Sequence, residues 1–441
     1  MTDRHVEIED ALARLASQDA GLAQGAEAAL NGLTAGEGLE VITQEGVQRF
    51  LWYELPLKWL TNLDDKLLIA DALAQLLELL ELFRYAQICR SATTVEILKA
   101  YDRADGEGLT AYHKADIASG IRPPDLLNFK WGTTMGLHEV GAYSSTAEML
   151  ELAVAAGDLV PGARGWKARQ QQLVQTHLDT PVPEMAGQTP KHVILTERIE
   201  QWTNTRRSEA RRKLLAGVAN RLLHPVPLPA GTDPMPSLRW LLDQLDGGIP
   251  LTQTGNLGQK FVQEAADRFG WTFRGLPRNE DDLFDLHITR RLAQRLRLAR
   301  RDGRKLVLTT KGRSLLADPE GLWRLVAGNI LPDSAFEALA GEIFFVMLLN
   351  NDQLPMQDLA SAVKSVAAEE GFRDSATGDP PGDQPVNWAI GDTLRLCRVL
   401  GLLSIGGEWQ DRVYGLNVGG RATALEALRA RATGPRSTPW G

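Results

Sequence analysis

The segment Arg291-Leu-Ala-Gln-Arg-Leu-Arg-Leu298, a turn, and then Lys305-Leu-Val-Leu-Thr-Thr-Lys-Gly-Arg313 returns near the end of the chain. There it reads Arg395-Leu-Cys-Arg-Val-Leu-Gly-Leu402, a turn four residues longer, and Val413-Tyr-Gly-Leu-Asn-Val-Gly-Gly-Arg421. Leu292, Leu296 and Leu298 align with Leu396, Leu400 and Leu402, and Leu308, Gly312 and Arg313 with Leu416, Gly420 and Arg421. Leucines four apart predict a helix with one buried face, and the short alternating runs on either side of a polar turn predict a hairpin. The Gly-Arg pair opens a further helix, over Ser314 to Leu316 in one copy and Ala424 to Leu428 in the other. Helix, hairpin, helix is the carboxyl half of a winged helix. The front half is predicted from Gly258 to Phe269 in the first copy. In the second it comes from Ala335 to Leu349 and Met356 to Glu369, with Pro355 suited to a helix start.

Outward from this repeat, the 441-residue chain is long enough for several domains. Residues 1–110 read as an all-helical domain, in which Asn62 or Asp64 caps a leucine-rich helix and Pro56 bends or restarts the one before it. Residues 111–224 read as a helix-rich middle domain, with a degenerate third winged helix as an open reading. Its clearest helix runs Ser145 to Ala156, where Ser145 and Glu148 have capping-box spacing, and Gly157 ends it where a strand might start. A helix over Ile194 to Leu223 carries a basic waist of Arg206, Arg207, Arg211, Arg212 and Lys213. Residues 225–236 hold five prolines and read as a linker. The tandem winged helices then occupy 237–330, basic, and 331–432, acidic, before a flexible tail at 433–441. The fold class is mainly α with small β-hairpins.

Net charge is −8, but its distribution is uneven: His287 to Arg313 carries ten Lys/Arg and Asp302 alone as an acid. With Leu292 and Leu296 turned inward together with Ile288, the predicted helix leaves Arg290, Arg291, Gln294, Arg295 and Arg297 toward solvent. The turn adds Arg300, Arg301, Arg304 and Lys305. Arginine and glutamine can read base edges from a helix in the major groove, and cations on a wing neutralise phosphates. Two readings stay open. In one, the protein is non-enzymatic and DNA-associated, touching duplex DNA through these nine residues while its helical regions dimerise or dock partners. In the other, it is a protein-interaction scaffold or subunit of a larger complex without DNA contact, whose basic island docks on an acidic partner surface or is neutralised, internally or across a subunit contact, by the acidic run Glu280, Asp281, Asp282 and Asp285. In the second copy, Ser404-Ile-Gly-Gly-Glu-Trp-Gln-Asp411 replaces the basic turn, which favours packing or protein contact.

The stretches Leu251-Thr-Gln-Thr-Gly-Asn-Leu257 and Arg300-Arg-Asp-Gly-Arg-Lys-Leu-Val-Leu-Thr-Thr-Lys-Gly-Arg-Ser-Leu-Leu-Ala-Asp-Pro-Glu-Gly-Leu-Trp323 resemble the carboxyl-terminal, winged-helix-like region of uncharacterised actinobacterial proteins of plasmid open-reading-frame type. The resemblance implies an actinobacterial source and a link to mobile elements or phage. It implies no activity.

Other chemistry is hard to find. There is no phosphate loop, nucleophile elbow or paired-histidine zinc helix, and the seven histidines are isolated. Asp102, Asp105 and Glu107 miss calcium-loop spacing. No enzyme, metal, cofactor or small-molecule ligand is expected. Cys89 and Cys397 sit among apolar residues and read as buried thiols, and the Trp residues are scattered singly, as core anchors would be. The acidic amino terminus is no signal peptide, and the apolar stretch Leu67 to Phe83 is broken by Asp71, Gln75, Glu78 and Glu81. No membrane span follows, and the expected location is the cytoplasm.

Overall fold

The structure is a computed structural model. It describes residues 2–204, 207–231, 233–271, 275–408 and 411–436, with side chains from Val6 onward. Arg206 of the predicted basic waist, Trp409 and Gln410 of the second turn, and residues 437–441 of the predicted tail lie outside the described residues. The chain is mainly helical, with two three-stranded antiparallel sheets among the described residues. No described helix is long and apolar enough to cross a membrane. Two compact units divide it: residues 1–194 together with 435–441, and residues 195–434.

In the first unit the helices are α1 (Thr2–Gln18), α2 (Ala20–Thr34), α3 (Gln44–Arg49), α4 (Leu55–Lys58), α5 (Leu63–Leu79), α6 (Phe83–Cys89), α7 (Ala92–Arg103), α8 (Asp105–Ser119), α9 (Leu137–Ala156) and α10 (Trp166–Asp179). The chain enters α11 (Pro190–Thr203) at the unit's end. Asn62 caps α5 by accepting from the Asp65 amide, and Leu73, Leu76 and Leu77 are fully buried. A wide turn over Phe50–Glu54 precedes α4, whose first turn holds Pro56, so the proline restarts the helix as expected. One apolar cluster spans Ala11 to Tyr101 and a second spans Ile121 to Ile194.

Three readings of this region need correction. The division at residue 110 falls inside α8, because Gly106 and Gly108 do not interrupt it: a Cβ on Gly108 would sit 2.1 Å from the Tyr101 ring, so this glycine serves helix packing. The helix around Ser145 starts eight residues earlier, at Leu137, and Ser145 lies in its interior. Its hydroxyl donates to the Ala142 carbonyl, 3.2 Å away, a local bond that interior helical serines can make. Gly157 ends α9 in the left-handed region, and no strand follows.

The second unit continues with α12 (Glu209–Ala219), α13 (Pro236–Gln244), β1 (Ile249–Pro250), α14 (Gln259–Phe269), α15 (Phe284–Arg295), β2 (Ala299–Asp302), β3 (Lys305–Leu308), α16 (Thr310–Leu316) and α17 (Pro319–Ala327). The same order then recurs: α18 (Ala335–Asn350), β4 (Leu354–Pro355), α19 (Met356–Glu370), α20 (Asp383–Val399), β5 (Leu403–Gly406), β6 (Val413–Leu416) and α21 (Val418–Thr433). Strand order is β1-β3-β2 in one sheet and β4-β6-β5 in the other. Ile249 faces Leu306 and Leu354 faces Tyr414 across the inner pairings. In both copies a glycine lets the last helix approach the first strand of the hairpin. A Cβ at Gly312 would lie 2.2 Å from the Leu298 carbonyl oxygen, and one at Gly420 would lie 2.0 Å from that of Leu402.

The predicted continuous helix over 194–223 is instead two, α11 and α12, with Ser208 capping the second through the Arg211 amide. Two cations of the waist have partners within the unit. Arg211 bridges to Glu342 at 2.9 Å and lies over the Trp202 ring, and Lys213 pairs with Glu209. The predicted linker at 225–236 belongs to the second unit, where Val226 and Met235 are 7% and 1% exposed. Prolines restrict the backbone without keeping it in water. A single apolar cluster runs from Ile199 to Ala432, so the two copies share one core.

Candidate nucleic-acid interface

α15 follows a turn at Glu280–Asp282, closed by a reciprocal capping box between Asn279 and Asp282. Its buried face is Leu286, Thr289, Leu292 and Ala293, continued by Leu296. It stops where Arg297 takes φ +57°: the Arg297 amide donates to Gln294 and the Leu298 amide to Ala293 at 2.8 Å, so the backbone turns into β2. In the second copy Gly401, φ +69°, occupies the matching place. The hairpin closes through Gly303 (φ +56°) and Arg304, between the paired Asp302 and Lys305. Glycine at the first central position suits such a two-residue turn. Lys311 donates to the Leu296 carbonyl at 3.1 Å, which satisfies the end of the helix.

Of the nine predicted contact residues, Arg290 is the one the structure turns inward. Its side chain is 12% exposed, with Nη1 2.6 Å from Glu280 Oε2 and Nη2 2.9 Å from the Gly255 carbonyl. Glu280 is fully buried and also accepts from the Leu257 amide at 2.8 Å, so the pair ties the 252–257 turn to α15. Arg290 borders the buried Thr289 on the helix face, and helical periodicity alone does not decide which way a residue at that border points.

The other eight remain together. Arg291, Arg295, Arg297, Arg300, Arg301, Arg304 and Lys305 are exposed, and Gln294 is half-buried. Arg295 donates to the Asn329 carbonyl and Arg301 to the Gly303 carbonyl. Arg300 lies 3.3 Å from Asp302, both side chains 60% exposed, an arrangement worth little to stability and easily exchanged. Among the described residues, Arg291, Arg297, Arg304 and Lys305 have no side-chain partner.

The acidic run before α15 has separate duties that the sequence did not disclose. Glu280 holds Arg290, Asp281 accepts from Asn256, Asp282 caps the turn, and Asp285 pairs with Arg398 of α20. Arg395, also on α20, lies over the Phe284 ring at 5.8 Å. The amino-terminal end of α15 is thereby packed against the matching helix of the second copy. Elsewhere in the unit, a cavity of about 300 Å³ lined by Leu228, Met235, Trp323, Leu400 and Thr423 is largely apolar. Its polar lining is already engaged: Thr423 accepts from the Trp323 indole at 2.9 Å, Asp233 pairs with Arg239, and Asn417 caps α21. No group of three or more potential metal ligands occurs among the described residues.

Residues 237–321, from α13 into α17, match the model of the Y4jL N-terminal domain family. In place of an actinobacterial relative, the chain is 34% identical over 96 residues to the uncharacterized protein y4jL of Sinorhizobium fredii (strain NBRC 101917 / NGR234). That match covers 20% of this chain and 44% of the relative, so the chain spans less than half of the relative's length. No solved structure matches the chain. The basic segment and its hairpin lie wholly inside the part of the chain that is similar to the Y4jL N-terminal domain.

Proposed function

We propose that residues 237–330 and 331–432 are tandem winged-helix domains and that the first contacts duplex DNA. The order helix, strand, helix, helix, hairpin, present twice with the same strand arrangement, supports the winged-helix reading. The observation that carries the DNA reading is the run of exposed cations from Arg291 to Lys305, opposed only by Asp302. Guanidinium and ammonium groups on a helix end and an adjoining hairpin can neutralise phosphates and release their counterions. The protein acts on this reading as a non-enzymatic, cytoplasmic DNA-associated factor tied to a mobile element, with its helical first unit available for self-association or partner docking.

The test is a mobility shift with long duplex DNA over a salt series. The parent is expected to bind at low salt and to lose affinity steeply toward moderate salt. Arg295→Glu/Arg300→Glu/Arg304→Glu is expected to abolish the shift with helical content unchanged, since all three side chains are exposed. Arg290 is unsuitable for this purpose: Arg290→Glu would set two carboxylates together in a buried site and report on folding.

A second reading, docking of a protein partner through the second copy, is favoured by Trp388 on α20. It is 64% exposed, whereas Trp240 and Trp323 of the same unit are buried. An exposed tryptophan is a frequent anchor of protein interfaces.

A further inference from the structure

We infer that the first module binds the phosphate backbone of duplex DNA without regard to base sequence, docking by the carboxyl end of α15 and the β2–β3 hairpin. The inference rests on the DNA-contact reading above and deepens it. In base-reading helix-turn-helix domains, the amino-terminal residues of the recognition helix reach the base edges. Here several side chains at that end are engaged within the unit, and the charge around it is acidic. Asp285 is paired to Arg398 with its side chain 14% exposed, Phe284 lies under Arg395, and Arg290 is committed to Glu280. Asp281 and Asp282, in the turn just before the helix, add negative charge at the same end.

The cations lie at the opposite end. From Arg291 they continue through Arg295 and Arg297 into Arg300, Arg301, Arg304 and Lys305, on the exposed part of a hairpin. A duplex approaching this charge meets the hairpin and the last turn of α15, and its major groove lies away from the helix's first turns. The side chains that arrive are point charges and forks suited to phosphate oxygens. Four to six phosphates neutralised in this way correspond to a slope of log affinity against log salt of roughly −4 to −5.

The test is competition in the full chain, by fluorescence anisotropy with one labelled duplex displaced by unlabelled duplexes of unrelated sequence and base composition. Expected is displacement within about threefold for all of them, where a base-reading protein separates its site from random duplex by about a thousandfold or more. Arg301→Gln and Arg304→Gln are each expected to reduce the salt slope by about one for every duplex alike. His287→Gln, near the acidic end of α15, is expected to leave displacement unchanged. A duplex preferred by a hundredfold, or a preference lost in His287→Gln, would overturn the inference and leave DNA contact standing. No displacement or shift by any duplex at low salt would overturn the DNA reading and the inference with it.

Discussion

Arg290 keeps its guanidinium against Glu280, while Arg291, one residue later, holds its own in water. Removing one partner from a buried ion pair leaves the other charge stranded, and such losses run to roughly 3 to 5 kcal/mol. Glu280→Ala is therefore expected to lower the unfolding free energy of the second unit by that order, since it strips the Leu257 amide of its acceptor as well. A loss under about 1 kcal/mol in chemical denaturation would mean that water or another group already serves Arg290. Single-residue environments were the least legible part of the sequence. The acidic run was visible as a source of counter-charge, but four neighbouring acids took four different partners, and the partner of Asp285 lies more than a hundred positions away. Arg297 stands in solvent as its place on the helix predicts, while Gly401 at the matching position is the sequence's one hint of its left-handed backbone.

At the scale of elements the repeat was readable because two constraints coincide. A buried leucine face fixes the helix, and a glycine that must admit a carbonyl fixes where the next helix passes. The caps recur too: Thr309 accepts from the Gly312 amide, and Asn417 from the Gly420 amide at 2.8 Å. Asn417 also donates to the Gly401 carbonyl at 2.8 Å, so it joins the start of α21 to the end of α20. Asn417→Ala is expected to cost about 1 kcal/mol or slightly more, and Asn417→Asp less, since the aspartate keeps the cap and forfeits only the donor. Equal losses from both, measured by thermal unfolding, would place the stabilisation in the Gly401 bond alone. Elements without such paired constraints are not legible in the sequence. Prolines at 225–236 resembled a tether, and nothing in the local pattern announced that Val226 and Met235 would be buried. α11 ends at Thr203 and α12 starts behind its cap Ser208, and the neighbouring run of arginines, good helix formers, hides that break in a local reading.

For the whole molecule, composition and periodicity sufficed for a mainly helical chain with small hairpins, but not for where it divides. Apolar surface that each copy leaves uncovered is buried by the other, and local pattern does not record that exchange. Each unit nevertheless contains its own reporter. Cys89 is buried in the first and Cys397 in the second. Burial pushes the Cys89 thiol up to about 12 and raises that of Cys397 further. Neither is expected to react with an aromatic disulfide reagent in the native protein at pH 8, because the thiolate is scarce and the sulfur covered. In rising denaturant, labelling of Cys89→Ser and Cys397→Ser variants is expected to give two separate transitions, one for each unit. Coincident transitions would show that the units unfold as one.

The second unit begins and ends beside itself. Arg198 holds the Thr433 carbonyl at 2.7 Å, and three residues on, the Arg436 carbonyl accepts from the Thr133 and Thr134 amides of the first unit, at 2.7 and 3.1 Å. A ribosome therefore delivers the strap that closes the first unit only after all of residues 195–434 has been made. Every nascent chain arrested within that span carries a first unit whose Thr133 and Thr134 amides still await their acceptor.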